Sequence, residues 1–387
     1  MTIRGSERGD VAALGHVPVL DGVRGLAILL VLLVHFAGSA ADPRLAGGSL
    51  VERAFTRLID TSGCGVDLFF VLSGFLITRI LLHSRGGVQP FRRFYLRRVL
   101  RIFPLYYLAL FVVLAIVPCL AGRPLGVREI LDRQGWLWLY GGNIACGLLG
   151  YSWNQDWMRL DHFWSLAVEE HFYLVWPFLA LRLPLRHLAR LLWILVFLAI
   201  AARVAFLGAG MTDASYQLTP CRLDALSLGA LIAIAAANDQ LERYVPAARF
   251  AVGFSALGTI ALGLMSHAHP WLWWTTAMVH ALFAAFFAGL LVLVLTGASD
   301  GWQVRAFSHP GLRTLGTYSY GLYVWHEILR PFLHAWIPID LLAELARSRL
   351  LGVLVYAAIC IGLAFAVAYL SWHLWEKQFL KLKSRVA

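Results

Sequence analysis

Ten segments of this chain are almost wholly apolar: 18–38, 64–83, 102–121, 162–181, 191–208, 223–237, 250–265, 271–296, 314–336 and 348–372. About 20 such residues cross the hydrocarbon core of a bilayer as a helix. Ten long runs with little alternation predict an all-α polytopic transmembrane bundle of about ten spans. Composition closes off the soluble alternative. The 387 residues are 60% apolar and 14% charged, against about 25% charged in an ordinary soluble domain. Disordered chains are poor in the apolar and aromatic residues abundant here. The stretch 136–150 is apolar but short, and contains Gly141, Gly142, Asn143 and Gly147. It reads as an interfacial or re-entrant segment, with an eleventh span as the competing reading.

The net charge is +11, and 30 of the 33 basic residues are arginine. Proteins that read nucleic acid concentrate such charge on a soluble surface; here it serves first as a topology signal. With both termini cytoplasmic, that side holds nineteen basic residues and the opposite side ten, with Arg24, Arg79, Arg203 and Arg330 in or at the ends of spans. The excess favours cytoplasmic termini. The organisation expected is a cytoplasmic N-terminal tail over 1–15, a membrane domain over 16–375 and a basic cytoplasmic tail over 376–387. The first apolar run lacks a small-residue cleavage site and reads as a retained span rather than a signal peptide. Five cysteines fall in no metal-ligand spacing. Their odd number argues against a complete disulfide framework, with Cys119–Cys146 as the one pairing left open.

Ionisable residues inside spans are costly and usually face a bundle interior, a cavity or one another. Arg24 and His35 lie eleven residues apart in the first span, which puts them on one helical face, about 16 Å apart along the axis. An imidazole takes a proton near neutral pH; a guanidinium holds phosphate or carboxylate but does not act as a base. The bland alternatives are a snorkelling Arg24 and a His35 satisfied by a neighbouring helix. Asp67 opens the second span, favourably for the helix dipole or as an orienting partner of a basic group. Arg92, Arg93, Arg97, Arg98 and Arg101 precede Pro104 and an aromatic pair. This patch is either a topology anchor or a binding site for a polyanion, since arginine forks match phosphate oxygens. In DHFWSLAVEEHFYLVWP, His162 and Glu169 share a helical face, extended by Glu170 and His171. Arg222 and Asp224 open another span, Arg203 lies within a fifth, and His326, Glu327 and Arg330 cluster in SYGLYVWHEILRPF. Together they predict a polar cavity within the membrane.

These motifs resemble acyltransferase family 3, integral membrane enzymes that O-acylate polysaccharides, nodulation factors and some macrolides. Arg24 with His35, GVDLFFVLSGFLI, Arg97–Arg98–Arg101 with FPLYY, FWSLAVEEHFYLVWP, RLDALSLG and SYGLYVWH carry the likeness over about 16–375. The resemblance implies an acyl-CoA donor, most often acetyl-CoA, taken from the cytoplasmic side of the bacterial inner membrane. The acceptor implied is a hydroxyl of a cell-envelope carbohydrate, such as lipopolysaccharide, or of a glycosylated small molecule. No metal and no nucleic acid are expected. Arg24, Arg93, Arg97, Arg98 and Arg101 are expected to hold the donor. His35 is expected to act as general base, its tautomer set by Glu169 or Asp67. His162, Trp164, Glu170, Arg222, Asp224 and His326 are expected to meet the acceptor. Some members carry a fused extracytoplasmic hydrolase-like domain. None lies within this sequence, so the resemblance implies direct transfer or a separate extracytoplasmic partner. The rival reading is a transporter or flippase for an anionic or glycosyl substrate, disfavoured by the lack of a clear internal repeat.

Overall fold

The computed structural model describes residues 17–382, apart from 41–44, 46–47, 121–125, 156 and 269–273. The expected tail over 1–15 and the end of that over 376–387 lie outside the described residues. So do Arg4, Arg8, Arg44, Arg123, Lys383 and Arg385 of the sidedness tally. Ten long helices carry the fold: α1 (Pro18–Ala40), α2 (Gly65–His83), α3 (Pro90–Phe111), α4 (Phe163–Arg182), α5 (Leu185–Gly208), α6 (Leu223–Ala237), α7 (Val245–Ala268), α8 (Trp274–Thr296), α9 (Ser319–Trp336) and α10 (Arg349–Ser371). They match the ten apolar segments. The chain is an all-α, multi-pass membrane protein. Among the described residues, eight helical stretches are long and apolar enough to cross a bilayer. The other two, α4 and α9, are as long but carry the polar clusters noted above.

Proline is tolerated where the backbone can bulge around it. Pro118 lacks an N–H and would crowd the preceding turn of α3's continuation. The chain widens there to a π-helix over Val112–Ile116, the usual local device for such a defect. The lipid-facing surface is legible on α7, where Phe250, Phe254, Leu257, Ile260 and Leu264 are exposed at helical spacing. With no apolar drive between helices in lipid, close approach rests on small residues. Gly74 of α2 and Gly229 of α6 show this reciprocally. A methyl added at Gly74 would overlap the Leu226 carbonyl, and one at Gly229 the Val71 carbonyl.

The segment 136–150 does not span. It forms two short helices, Gly135–Trp138 and Gly142–Leu149, tucked against α4, with Leu137, Asn143 and Ala145 fully buried. After it comes a two-residue hairpin pairing Asn154 with Arg159 and Gln155 with Met158. Asp161 closes this loop by accepting hydrogen bonds from the Trp153 N–H and the Ser152 hydroxyl. Burial raises the Asp161 carboxyl above its ordinary range. All five cysteines are free thiols.

Candidate active site

Helices α1, α2, α4 and α9 surround two chambers. The first, of about 160 Å³, has Arg24, Arg98, Arg101, Glu169, Glu170 and Tyr173 in its wall. The second, of about 380 Å³, has His35, Arg159, Asp161, His162, Trp164, Glu327 and Arg330 in its wall. Helix α1 supplies Arg24 to one and His35 to the other. Eleven residues at 100° each return to nearly the same face, so one helix edge runs along both chambers.

In the arginine chamber, Arg24 pairs with Asp21 at 3.1 Å, and the Arg98 guanidinium lies 4.5 Å from the centre of the Tyr173 ring. A cation over an aromatic face is attracted by the ring quadrupole. The Ser73 hydroxyl contacts the Tyr173 phenol, which donates to Glu169 Oε2 at 2.9 Å. Glu170 faces the same chamber, and its Oε1 is buried without a hydrogen-bond partner. Arg93 and Arg97 are not in the wall: Arg93 is exposed, and Arg97 is half-buried one turn before Arg101. Arg85, from the same basic stretch, caps the far end of α4 by donating to the Ala180 and Leu183 carbonyls. Those carbonyls belong to the unpaired last turn of a helix.

In the histidine chamber the hydrogen bonds determine a tautomer. His326 lies at 0% exposure behind His35, and its Nδ1 sits 2.7 Å from the Tyr323 carbonyl. A carbonyl only accepts, so His326 Nδ1 carries the proton and its Nε2 is bare. His35 Nδ1 lies 2.9 Å from the Val31 carbonyl and 3.2 Å from His326 Nε2. Both are acceptors, so the His35 proton is on Nδ1. In the neutral ring His35 Nε2 then carries the lone pair, 3.9 Å from Glu327 Oε1. Arg330 Nη1 holds that same oxygen at 2.6 Å.

The carboxylate beside His35 is thus Glu327, in place of the expected Glu169 or Asp67. Glu169 is engaged with Tyr173 in the other chamber. Asp67 belongs to a buried ionic cluster, with Arg222 Nη2 at 3.3 Å and His280 Nδ1 at 3.6 Å. The residues expected at the acceptor divide likewise. His162 and Trp164 line the histidine chamber, whereas Glu170 lines the arginine chamber. His326 backs His35 rather than facing the cavity. Asp224 neutralises Arg203 at 2.6 Å, and Arg222 is packed among the rings of Phe70, Trp164 and Tyr216. With Arg222 and Asp224 at 1% and 3% exposure, neither lies in a chamber wall; an unpaired charge there would be far costlier than a paired one. His280 escaped the reading of the sequence, although a single histidine inside the apolar run 274–296 was its signal.

A family model described as an acyltransferase domain matches residues 17–373. The chain is 30% identical over 334 residues to the peptidoglycan O-acetyltransferase OatA of Listeria monocytogenes, covering 80% of this chain and 49% of that protein. It is 28% identical over 338 residues to YrhL of Bacillus subtilis, a protein provisionally assigned the same activity, covering 80% of this chain and 48% of that one. The chain spans about half the length of these curated relatives. No solved structure matches it.

Proposed function

The chain belongs to the acyltransferase family whose match runs from residue 17 to residue 373, and from that premise we propose that it transfers acetyl groups from acetyl-CoA to a carbohydrate hydroxyl of the cell envelope. The observation that carries this reading is the arrangement of α1, which presents Arg24 to an arginine-lined chamber and His35 to a second chamber on the same edge. The named activities of the relatives favour acetyl as the acyl group and a peptidoglycan-type sugar as the acceptor. The basic excess on the loops favours a bacterial cytoplasmic membrane with the arginine chamber toward the cytoplasm.

In this reading Arg24, Arg98 and Arg101 hold the phosphates of the donor, whose charge-assisted hydrogen bonds to guanidinium forks are among the stronger polar contacts. The pantetheine arm then follows α1 toward His35. The acceptor enters from the side closed by the 150–162 loop, among His162, Trp164 and Arg159. His35 Nε2 removes the proton of the attacking hydroxyl. The hydroxyl oxygen bonds to the thioester carbonyl carbon, the C–S bond breaks, and the proton passes to the departing CoA sulfur. Glu327, held by Arg330, stabilises the imidazolium formed in between, as a carboxylate does beside other catalytic histidines.

His35, His326 and Glu327 also bring ligand-type atoms within 4.8 Å of one another. We read the trio as a proton-handling group, because the Arg330 ion pair already engages the Glu327 oxygen that faces His35. The direct test supplies purified protein with acetyl-labelled acetyl-CoA and soluble peptidoglycan fragments. Label is expected as an ester on the carbohydrate. Fragments moved across a vesicle membrane without gaining label would replace this reading with transport.

A further inference from the structure

The two chambers have different walls except at two residues, Val66 of α2 and Tyr323 of α9, which line both. Tyr323 is pinned where it stands. Its phenol donates to the His162 carbonyl at 2.9 Å and accepts from the Ser165 hydroxyl, both at the start of α4. Its ring meets Phe69 of α2 edge-on, with centroids 6.1 Å apart, and the residue is 6% exposed. Together the two hydrogen bonds hold a large ring across the junction of two cavities.

We infer that Tyr323, with Val66, is the partition through which the acyl group must pass, and that it sets both the acyl length accepted and the exclusion of water from the thioester. The inference rests on the proposed acetyl transfer: the donor sits on the Arg24 side, the base on the His35 side, and the thioester carbonyl has to reach the junction between them. A short acyl group passes a junction narrowed by a tyrosine ring; a longer one meets the ring. When no acceptor fills the histidine chamber, the same ring keeps water from the carbonyl. With the ring removed, water's oxygen bonds to the acyl carbon and the C–S bond breaks. The products are the free carboxylate and CoA thiol, one proton going to sulfur and one to solvent.

The test uses the purified full chain as wild type, Y323A, Y323F and V66A, each checked for monodispersity and thermal unfolding. Acetyl-, butyryl- and hexanoyl-CoA are supplied with and without soluble peptidoglycan fragments, and thiol release is followed. One methylene in a fitted apolar pocket discriminates by about tenfold or more. Y323A is therefore expected to raise the hexanoyl-to-acetyl ratio of kcat/KM by at least about tenfold, and to release thiol without fragments nearly as fast as with them. V66A should shift both readouts the same way by less, and Y323F, which keeps the ring, should retain the wild-type length preference.

Folded Y323A and V66A with wild-type selectivity and full dependence on fragments would overturn the inference. A folded Y323A that releases thiol from no donor would overturn it as well, because widening a partition should not abolish turnover. If Y323A does not fold, V66A decides. A wild type that shows no fragment-dependent thiol release from any donor fails the acetyl-transfer reading itself, and the inference with it. An active wild type with unchanged variants fails the inference alone.

Discussion

His35 Nδ1 and His326 Nε2 face each other at 3.2 Å across 291 residues of sequence, and with the Val31 carbonyl on Nδ1 this contact leaves His35 Nε2 facing the histidine chamber. The ring of His326 thereby acts through His35 without reaching the cavity, while Glu327, its neighbour in sequence, does reach it.

Replacing His35 by Gln removes the base and keeps the bulk. Transfer should fall by about 10²–10⁴ in kcat, with donor KM and the unfolding temperature close to wild type. Labelled acetyl transfer and thermal unfolding of the same preparation measure both. Wild-type turnover in H35Q would remove His35 from the mechanism.

Glu327→Gln keeps the shape and deletes the charge that faces His35 Nε2. It should lower kcat at constant donor KM, whereas H326F should lower kcat through the loss of the His35 Nδ1 contact alone. Steady-state kinetics with varied donor concentration separate these from a binding defect, which would appear in KM.

Arg98 and Arg101 line the chamber and Arg93 does not. Each charged hydrogen bond lost is worth about 1.5–3 kcal/mol, so R98A and R101A should raise donor KM by roughly ten- to a hundredfold. R93A should stay within about twofold, since a surface charge there makes no directed contact. Equal effects at all three positions would instead point to diffuse attraction by the whole basic stretch, and raising the salt concentration would then reduce them together.

Asp224→Asn leaves the Arg203 guanidinium buried without its counter-charge. Breaking one side of such a pair typically costs about 3–5 kcal/mol. D224N should therefore melt well below wild type in detergent, and the double variant R203M/D224L should recover most of the loss. A D224N protein with unchanged thermal stability would show that the pair does not hold α5 against α6.

The spans were readable because hydrophobic length is a local property: twenty apolar residues in a row must become a helix in lipid. Most of the observed helices begin and end close to the apolar runs, although α3 starts twelve residues before its run, at Pro90; α3, α4 and α9, which carry the polar clusters, supply charged residues to the chamber walls. The shared face of Arg24 and His35 was readable for the same reason, being a consequence of helical pitch alone. Likewise Glu327 and Arg330, three apart on α9, form the ion pair that their spacing invites.

Partnerships between helices were not readable. Asp67 could have met any basic residue in the bundle; the Gly74–Gly229 contact brings α2 and α6 together, and Asp67 lies against Arg222 at the start of α6. Glu169 shares its helical face with His162, yet Tyr173 and Ser73 engage it in the arginine chamber while His162 lines the other. Which arginines of the 92–101 run reach the arginine chamber depends on where α3 sits against its neighbours. The sequence alone determined a polytopic helical membrane protein with buried charges and a His–Arg edge on its first span, because lipid solvation and helix pitch act along the chain. Tertiary structure alone decided which carboxylate lies beside His35, and that Tyr323 and Val66 line both chambers. Those choices follow from the packing of helices distant in sequence, set by the shapes of side chains meeting across the bundle.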